Sequence, residues 1–478
     1  MADFSFYWHD YETFGIDPAR DRPSQFAGIR TDANFNIIGE PLVIFCQPAA
    51  DMLPHPEACL VTGITPQQAL EQGAPEAEFI RQIHAEFVQP GTCAVGYNSI
   101  RFDDEVSRYT LYRNFYDPYA REWQNGNSRW DIIDMVRLCC ALRPEGIVWP
   151  SHEDGSASFK LEHITQANGI SHEAAHDALS DVYATIAVAK LIKEKQPKLF
   201  DYVFKLRDKS EVINLLDVAQ KKPVLHTSGM FSASRFCTSL IMPLAMHPSN
   251  KNAVICYDLA VDPAPLLELN AEEVCKRLYT PVAELPAGIE RIPLKTIQIN
   301  RCPVVATADL LDAATAQRIQ LDLAKARQHY QQIINADPLT EKLAEVFSSQ
   351  TFPEQKDPDA MLYSGGFFGQ NDKSMMAQIR ASTPEELRDS TFYFEDARLT
   401  DMLFRYRARN YPDSLTDDEK HQWHEYRYQR LTEVDGGGSI ILEDYLDKVH
   451  GLMEDANISE RDRQILEQLL DYSDQVLA

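Results

Sequence analysis

The sequence predicts a mixed α/β protein of 478 residues divided into three parts. The N-terminal part alternates strand-like runs with amphipathic helices, which is the pattern of an α/β core. The stretch that follows is rich in short β-like runs interrupted by Pro, Gly and Asn, and from Lys373 onward every periodic segment is helical. We therefore expect domains at 1–197, 198–350 and 351–478, with a linker at about 351–364.

The N-terminal stretch from Phe4 to Gly15 carries the first functional signal. Its front half is aromatic and has no Gly or Pro, which favours a β-strand. Residues two apart in a strand project from the same face, so Asp10 and Glu12 point the same way. Two neighbouring carboxylates at the end of a buried strand repel each other and need a positive partner, such as a divalent metal ion. A solvated, inert strand end is the alternative, because so short a motif is common.

A second acidic position follows the next predicted strands and helices. Strands are expected at 25–31, 41–46 and 92–97, and helices at 76–88 and from Phe102 onward. Asp103 stands at the junction between the strand at 92–97 and the helix after it. Active residues of α/β folds gather at such junctions, so we expect Asp103 to join Asp10 and Glu12. The alternative is that an acid here only favours the first turn of a helix through its dipole.

A third group of candidate residues precedes a helix predicted at 182–194, after helices expected at 129–142 and 159–168. His176 and Asp181 are five residues apart, which on one regular helix separates them by about 140°. We therefore place His176 on the loop or first turn before the helix and Asp181 within the helix, a mobile base beside a fixed ligand. A capping or surface histidine is the alternative.

Composition restricts the function classes. The formal charge is −26, from 46 basic and 72 acidic residues, which argues against diffuse basic coating by nucleic acid but allows a focused groove. Nine scattered cysteines without a C-x-x-C pair indicate reduced, mostly buried thiols. No targeting sequence or membrane-spanning run is evident, so we expect a cytoplasmic protein with no membrane partner.

Residues 108–137 interleave aromatic and basic side chains, as a track for single-stranded nucleic acid does. The set is Arg108, Tyr112, Phe115, Tyr116, Tyr119, Trp123, Trp130 and Arg137. Aromatic residues at these intervals are often core, so we expect about half of the six to meet bases. We assign stacking to Tyr119 and Trp123, and phosphate contacts to Arg108, Arg137 and Lys160.

The remaining chain is predicted in less detail. A helix is expected from Lys198 to about Asp217, strands at 223–229, 238–245, 252–259 and 293–305, and helices at 316–335 and 339–347. Near the C-terminus, Arg405, Arg407 and Arg409 cannot share one helical face. Phosphate contact and ion pairing with neighbouring acids both stay open for these three arginines.

Taken together, Asp10-x-Glu12, Asp103 and His176-x4-Asp181 resemble the three motifs of the DEDDh 3′-to-5′ exonucleases. Longer runs resemble the bacterial exodeoxyribonuclease I family over essentially the whole chain. These runs are HDYETFG at 9–15, GYN at 96–98, RFDDE at 101–105, NFYDPY at 114–119, ALRPEG at 141–146 and FRYRARN at 404–410. The resemblance implies a ribonuclease-H-like exonuclease domain, then a small SH3-like β domain and an all-helical C-terminal domain. This sequence departs from the family pattern at Gly365-Gly366, which contains an extra glycine.

The residues and the resemblance together imply a mechanism. Four converging carboxylates, from Asp10, Glu12, Asp103 and Asp181, need about two divalent ions, and an all-oxygen site suits Mg²⁺, for which Mn²⁺ can substitute. His176 would accept the proton of the attacking water. The expected activity is processive 3′-to-5′ degradation of single-stranded DNA to deoxynucleoside 5′-monophosphates, with roles in DNA repair and recombination. Lys160 also matches a basic position of the family, and Glu12, Thr13 and Phe14, at the metal pair, are expected to contact the terminal nucleotide.

The resemblance also implies a protein partner. The family binds the acidic C-terminal tail of single-stranded-DNA-binding protein, and four positions here match that pocket: Arg143, Tyr202, Lys222 and Arg318. A tail carboxylate needs such cations, although each residue could also make an ordinary surface ion pair. We expect the protein to be a monomer.

Three other functions use the same signals. An exonuclease that trims RNA would need the same five acidic and basic residues, because discrimination lies in contacts near the 2′ position. A catalytically idle strand-binding or scaffold protein would keep the fold, but five intact positions argue against it. A proofreading subunit would lack the long C-terminal extension.

Overall fold

The computed structural model describes residues 4–172, 177–349 and 354–477. The strands are β1 (Ser5–Thr13), β2 (Pro23–Thr31), β3 (Leu42–Phe45), β4 (Thr92–Gly96), β5 (Ser128–Asp131), β6 (Val224–Thr227), β7 (Thr238–Met246), β8 (Ala253–Asp258), β9 (Leu294–Gln298) and β10 (Val304–Thr307). Within the described ranges, no helix has the length and apolar character needed to cross a bilayer.

The helices fall into three runs along the chain. The first run contains the helices that begin before residue 200, which are α1 (Pro56–Thr62), α2 (Pro66–Gln72), α3 (Glu76–Phe87), α4 (Asp103–Arg113), α5 (Ile133–Leu142), α6 (Leu161–Ala167), α7 (Ala178–Lys195) and α8 (Pro197–Lys205). The middle run is α9 (Lys209–Leu215), α10 (Ala264–Glu268), α11 (Ala271–Tyr279), α12 (Ala313–Arg318), α13 (Leu323–Asn335) and α14 (Thr340–Ser348). The last run is α15 (Gln370–Ala381), α16 (Pro384–Asp389), α17 (Arg398–Asn410), α18 (Asp417–Thr432), α19 (Leu442–Met453) and α20 (Glu460–Leu477).

Most of the predicted helices and strands are confirmed, but four of them are shorter in the structure than the sequence predicted. Residues 128–131 form a strand rather than the start of a helix, and the helices predicted at 198–217 and 316–335 are each two helices. The strand predicted at 293–305 is likewise two strands. Aspartate caps explain both helix breaks, because Asp208 accepts from Ser210 N and Asp322 from Ala324 N, and each carboxylate starts a new helix.

The strands that carry the acidic motifs belong to a unit built from Met1–Ser128, His172–Thr185 and Glu354–Ala478. Its strands lie in the order β3-β2-β1-β4. β1 pairs antiparallel with β2 and parallel with β4, so it has a partner on both sides. Apolar side chains such as Tyr11, Phe26 and Phe79 form one core of this unit. A central, paired strand is a rigid place for functional side chains.

The C-terminal helices complete two further cores of the same unit. Phe14 packs in a cluster with Leu431, Tyr445 and Leu469. A second cluster contains Tyr112 of α4 and Phe115 of the turn after it. These two residues pack with Leu399 and Tyr406 of α17. The helical C-terminal part therefore shares two of its hydrophobic clusters with the N-terminal part, beside a smaller cluster of its own around Leu415 and Trp423.

The three C-terminal arginines make ion pairs, which is one of the two alternatives left open by the sequence. Arg407 donates to Glu419 through both terminal nitrogens, at 2.6 and 3.1 Å. Arg405 and Arg409, one turn apart, join a closed ring of alternating charges. In order, the ring runs Asp51, Arg409, Asp359, Arg405, Asp357 and Arg430, and back to Asp51.

The other compact unit, Arg129–Ser171 with Ile186–Pro353, contains the second sheet. Its strand order is β10-β6-β7-β8-β9, with antiparallel neighbours throughout. Val254, Cys256 and Ile297 from the sheet pack with Val212 and Leu216. The nine cysteines all lie in the described part of the chain, where they form no disulfide and eight are buried, as expected for reduced thiols.

Replacing Asp51 by Asn should destabilise the protein by about 3–5 kcal/mol, because two buried guanidinium groups lose a charged partner. Burial alone would raise the pKa of Asp51, but Arg409 and Arg430 outweigh it and hold the pKa below the ordinary 3.8. The stabilisation is therefore complete above about pH 4 and is lost as the pH falls further. Urea unfolding at pH 7 and pH 3.5 measures the effect, which should be smaller at pH 3.5.

The matched control is Asp447→Asn on the exposed face of α19. A surface substitution of this kind changes stability by less than about 0.5 kcal/mol. Equal effects of the two substitutions at pH 7 would contradict a stabilising role of the ring.

Candidate active site

Strand β1 presents Asp10 and Glu12 on one face. In the pairing with β2, Asp10 lies opposite Ala27 and Glu12 opposite Gln25, and the register shifts directly after Glu12. The alternate residues His9 and Tyr11 are buried, with their rings against Phe26. The alternation predicted from the sequence therefore holds to the end of the strand, where the bulge stops regular pairing.

Asp103 reaches the same place from the neighbouring strand. β4 runs parallel to β1 and ends at Gly96, and α4 begins at Asp103. The Asp103 Oδ1 atom accepts a hydrogen bond of 3.1 Å from the backbone nitrogen of Tyr11, the residue between Asp10 and Glu12. This bond fixes the start of α4 against the acidic end of β1.

Asp181 completes the cluster from the first turn of α7. One carboxylate oxygen from each of Asp10, Glu12 and Asp181 lies within 4.8 Å of the other two. The helix begins at Ala178, earlier than the predicted 182, so Asp181 is a helical residue as expected. The two carboxylates of β1 and the sequence-distant Asp181 are thus brought to one point, and Asp103 lies next to them.

The electrostatics of the cluster follow from this crowding. Burial, followed by the charges of Asp103 and Glu12, raises the pKa of Asp10 well above its ordinary value. Burial and then Asp181 and Asp103 raise the pKa of Glu12 to about 8. Each carboxylate disfavours ionisation of the others, because like charges repel strongly in a poorly solvated place.

The donor set fits a hard divalent cation. All the converging atoms are carboxylate oxygens, the ligands that Mg²⁺, Mn²⁺ and Ca²⁺ prefer. A bound cation would also offset the burial and the repulsion that together raise the two pKa values. The residues present therefore match the metal site expected from the sequence.

The structure adds three residues around α7 that sequence reasoning did not select. His172 Nε2 lies 2.5 Å from Asp181 Oδ1. Asp177 accepts a hydrogen bond from Ser180 N, and its charge helps to raise the pKa of Glu12. Gln25 Oε1 accepts from Ala178 N at 3.4 Å. The predicted base, His176, lies outside the described residues.

The residues assigned to the terminal nucleotide differ in exposure. Thr13 is partly exposed, and its hydroxyl donates to Gly15 O at 2.6 Å. Phe14 has only 1% of its side chain exposed because it packs in the core shared with the C-terminal helices. The backbone of Phe14 is also engaged, because its N–H donates to Arg22 O at 2.9 Å and its carbonyl accepts from His55 N at 2.7 Å.

The predicted aromatic track separates into core and surface. Tyr112, Phe115 and Trp130 are buried, whereas Trp123 is 65% exposed. Tyr119 and Trp123 line a groove of about 440 Å³ together with Phe367, Phe368 and Lys373. Phe367, at 87% exposure, is the most exposed aromatic side chain in the described ranges. The second half of this groove comes from a distant part of the chain, which the sequence pattern did not reveal.

The basic residues assigned to phosphates occupy different surroundings. Arg108 is buried and donates to Glu122, Glu105 and the Tyr363 hydroxyl. In the other unit, Arg137 donates to Asp134 at 2.7 Å. Lys160, in the same unit as Arg137, is largely exposed, with Glu162 at 3.6 Å. The position of Lys160 leaves its ammonium accessible, whereas Arg108 would have to exchange an acidic partner for a phosphate.

The four residues assigned to a protein partner all lie in the second unit. Arg143 and Arg318 donate to the carbonyl oxygens of Leu142 and Ala141, the last two residues of α5. Tyr202 donates to Val305 O, and Lys222 is exposed. The two arginines therefore place positive charge together at the C-terminal end of a helix.

The carboxylate cluster at the end of the central strand matches the metal site expected of a nuclease of ribonuclease-H-like fold. The family model described as Exonuclease matches residues 7–189 and agrees with this class. Two more family models follow along the chain, the Exonuclease I SH3-like domain at 207–349 and the Exonuclease I C-terminal domain at 356–476. The three-part fold expected from the sequence is confirmed.

Similar proteins cover the whole chain. Exodeoxyribonuclease I of Escherichia coli (strain K12) is 47% identical over 478 residues, which cover 99% of this chain and 98% of the relative. Among solved structures, Exonuclease I from Methylocaldum szegediense has 52% identity and a TM-score of 0.95, covering 99% of this chain and 100% of that one. The zinc-bound E. coli ExoI–ssDNA complex has 46% identity and a TM-score of 0.95, covering 100% of both chains. The protein belongs to the exodeoxyribonuclease I family of nucleases.

Replacing Glu12 by Gln should stabilise the metal-free protein at alkaline pH. A pKa raised from 4.5 to about 8 means that the folded state keeps a proton that the unfolded state has released. The resulting loss of stability is absent below about pH 4.5, grows as the pH rises and is complete above about pH 8. In EDTA, the melting temperature of Glu12→Gln should exceed that of the parent by more at pH 8 than at pH 5.5.

The control for this comparison is Glu467→Gln, an exposed residue of α20, which should show no such pH dependence. A gap between Glu12→Gln and the parent that stays constant from pH 5.5 to pH 8 would rule out mutual repulsion as its cause.

Proposed function

We propose that the protein degrades single-stranded DNA from its 3′ end, processively, and releases deoxynucleoside 5′-monophosphates. The observation that carries this proposal is the convergence of Asp10, Glu12 and Asp181 within 4.8 Å beside Asp103. The solved relative described as an ExoI–ssDNA complex supports the choice of substrate. The family relationship further suggests roles in DNA repair and recombination in the cytoplasm.

Asp10, Glu12, Asp103 and Asp181 would hold two divalent ions, with Mg²⁺ as the proposed physiological metal and Mn²⁺ as a substitute. When bound, such ions lower the pKa of an attacking water and stabilise the negative charge on the departing oxygen. The zinc-bound relative supports a divalent metal in this family. The all-oxygen ligand set favours Mg²⁺ over zinc, which prefers nitrogen and sulfur.

His176 would accept the proton from the water that attacks the terminal phosphate. The new bond joins the water oxygen to phosphorus, and the bond between phosphorus and the 3′ oxygen of the preceding nucleotide breaks. That 3′ oxygen then takes up a proton and becomes the new 3′ hydroxyl, while the phosphate leaves on the released nucleotide. Glu12, Thr13 and Phe14 would contact this terminal nucleotide.

The groove lined by Tyr119, Trp123 and Phe367 would hold the bases upstream of the cleaved bond. Aromatic rings stack on any base, so digestion should depend little on sequence. Lys373 in the groove, with Lys160, Arg137 and Arg108, would contribute the phosphate contacts. A strand held by several stacked bases stays bound between cleavages, and a duplex, whose bases are already stacked and paired, cannot use the groove.

We also propose the domain boundaries 1–197, 198–350 and 351–478, and a monomeric protein. Arg143, Tyr202, Lys222 and Arg318 would bind the acidic tail of single-stranded-DNA-binding protein. The two arginines at the end of α5 support this, because both lower the pKa of Asp312 after its hydrogen bonds with Thr315 and so act on nearby carboxylates. A tail carboxylate would meet the same two charges.

One assay tests the activity and the substrate together. The parent should shorten 5′-end-labelled single-stranded DNA in Mg²⁺, with little action on duplex DNA or RNA and none in EDTA. Asp181→Ala should lower the rate by several orders of magnitude, because the metal site loses one of its carboxylates. Binding of the same DNA in EDTA should be unchanged, which separates loss of chemistry from loss of substrate. Equal rates on RNA and DNA would favour the RNA-trimming alternative.

Replacing Trp123 by Ala tests the stacking groove. Loss of one stacked base costs about 1–3 kcal/mol of binding. KM for a long single strand should therefore rise several-fold, whereas KM for a dinucleotide, which is too short to reach the groove, should not change. Tyr428→Ala, an exposed tyrosine of α18 outside the groove, is the control. The same rise for both substrates would refute the groove as a binding track.

A further inference from the structure

His172 contacts the carboxylate cluster although neither the motif spacing nor the proposed mechanism gives it a role. Its Nε2 atom lies 2.5 Å from Asp181 Oδ1, and its side chain is only 4% exposed. We propose that His172 is a positioning residue that orients the Asp181 carboxylate for metal binding. This inference rests on the proposed metal site.

The chemistry of the contact defines the direction of the hydrogen bond. An ionised carboxylate has only acceptor oxygens, so the hydrogen must be on Nε2 and the imidazole donates to Asp181 Oδ1. Residues that bind a metal are commonly held by such an outer hydrogen bond, which fixes the orientation of the ligand. Here the outer residue would be the histidine and the ligand the carboxylate.

Asp181 needs this support because its neighbours repel it. Its charge raises the pKa of both Asp10 and Glu12, so the three carboxylates interact strongly before any cation binds. The last torsion of an aspartate side chain is soft, so repulsion alone would rotate the group away from the cluster. A donor on Oδ1 opposes that rotation and holds the carboxylate plane near its metal-binding orientation.

The backbone below Asp181 is already fixed by other contacts. Asp181 N donates to Asp177 O at 3.0 Å, and Ala178 N donates to Gln25, which lies opposite Glu12 in the sheet. The start of α7 is thereby tied to the strand pair that carries the other acids. The side chain of Asp181 carries the oxygens that would bind metal, and it is the part that His172 contacts.

The test compares two substitutions of similar size in full-length protein. His172→Gln keeps an N–H donor close to the position of Nε2, and His172→Leu removes it. Calorimetric titration with Mn²⁺, without DNA, measures metal affinity independently of catalysis. We expect His172→Leu to weaken Mn²⁺ binding by about 10- to 100-fold and His172→Gln to stay within a few-fold of the parent. Melting curves in EDTA verify that both variants are folded.

Asp181→Ala is the reference in the same titration and should lose most of the binding. Parent-like Mn²⁺ affinity in His172→Leu, with affinity lost in Asp181→Ala, would overturn the positioning role and leave the metal site standing. Equal weakening in His172→Leu and His172→Gln would also overturn it, because the donor would then be irrelevant. Parent-like affinity in Asp181→Ala would instead remove the proposed metal site, and this inference with it.

Discussion

Mutual repulsion among carboxylates is the constraint around which the N-terminal unit is arranged. Asp10 and Glu12 share one face of a strand, and Asp181 approaches them from a helix that begins more than 160 residues later. Such a cluster is unfavourable without a cation, as the raised pKa of Glu12 shows. Rigid elements hold it: a central strand with partners on both sides, a hydrogen bond from Tyr11 to Asp103, and a helix start tied to β2. The stability of the frame therefore maintains a site whose repulsion is relieved by protonation or by a bound cation.

Many of the basic residues of the same unit form ion pairs with acidic residues of that unit. Arg108 is enclosed by Glu105 and Glu122, and the arginines of α17 pair with aspartates and Glu419. The exposed aromatic rings of the groove, by contrast, offer apolar surface to a ligand. A chain with a net charge of −26 can thus present a surface for a polyanion by stacking on its bases, with a small number of accessible cations for the backbone.

Much of this organisation was readable from the sequence because it depends on local periodicity. The two-residue spacing of a strand placed Asp10 and Glu12 together, and the strand-to-helix junction placed Asp103 near them. What could not be read depends on register and on distant packing. Gln25 supports α7 only because it lies opposite Glu12, and Phe14 is buried because helices from the far end of the chain cover it. The breaks within predicted helices were missed since single aspartate caps outweigh the apolar periodicity.

The ring of three aspartates and three arginines has a consequence for how the molecule can be divided. Asp51 belongs to the N-terminal sequence, whereas its guanidinium partners come from α17 and α18. A truncated gene product ending near residue 350 would leave Asp51 without its two guanidinium partners, beside an apolar surface that α19 and α20 no longer cover. The catalytic part of the chain is therefore not expected to fold as an independent domain. Proteins made from gene fusions or deletions that separate the two ends of the chain would fail to fold. They would therefore be inactive even with every catalytic residue in place.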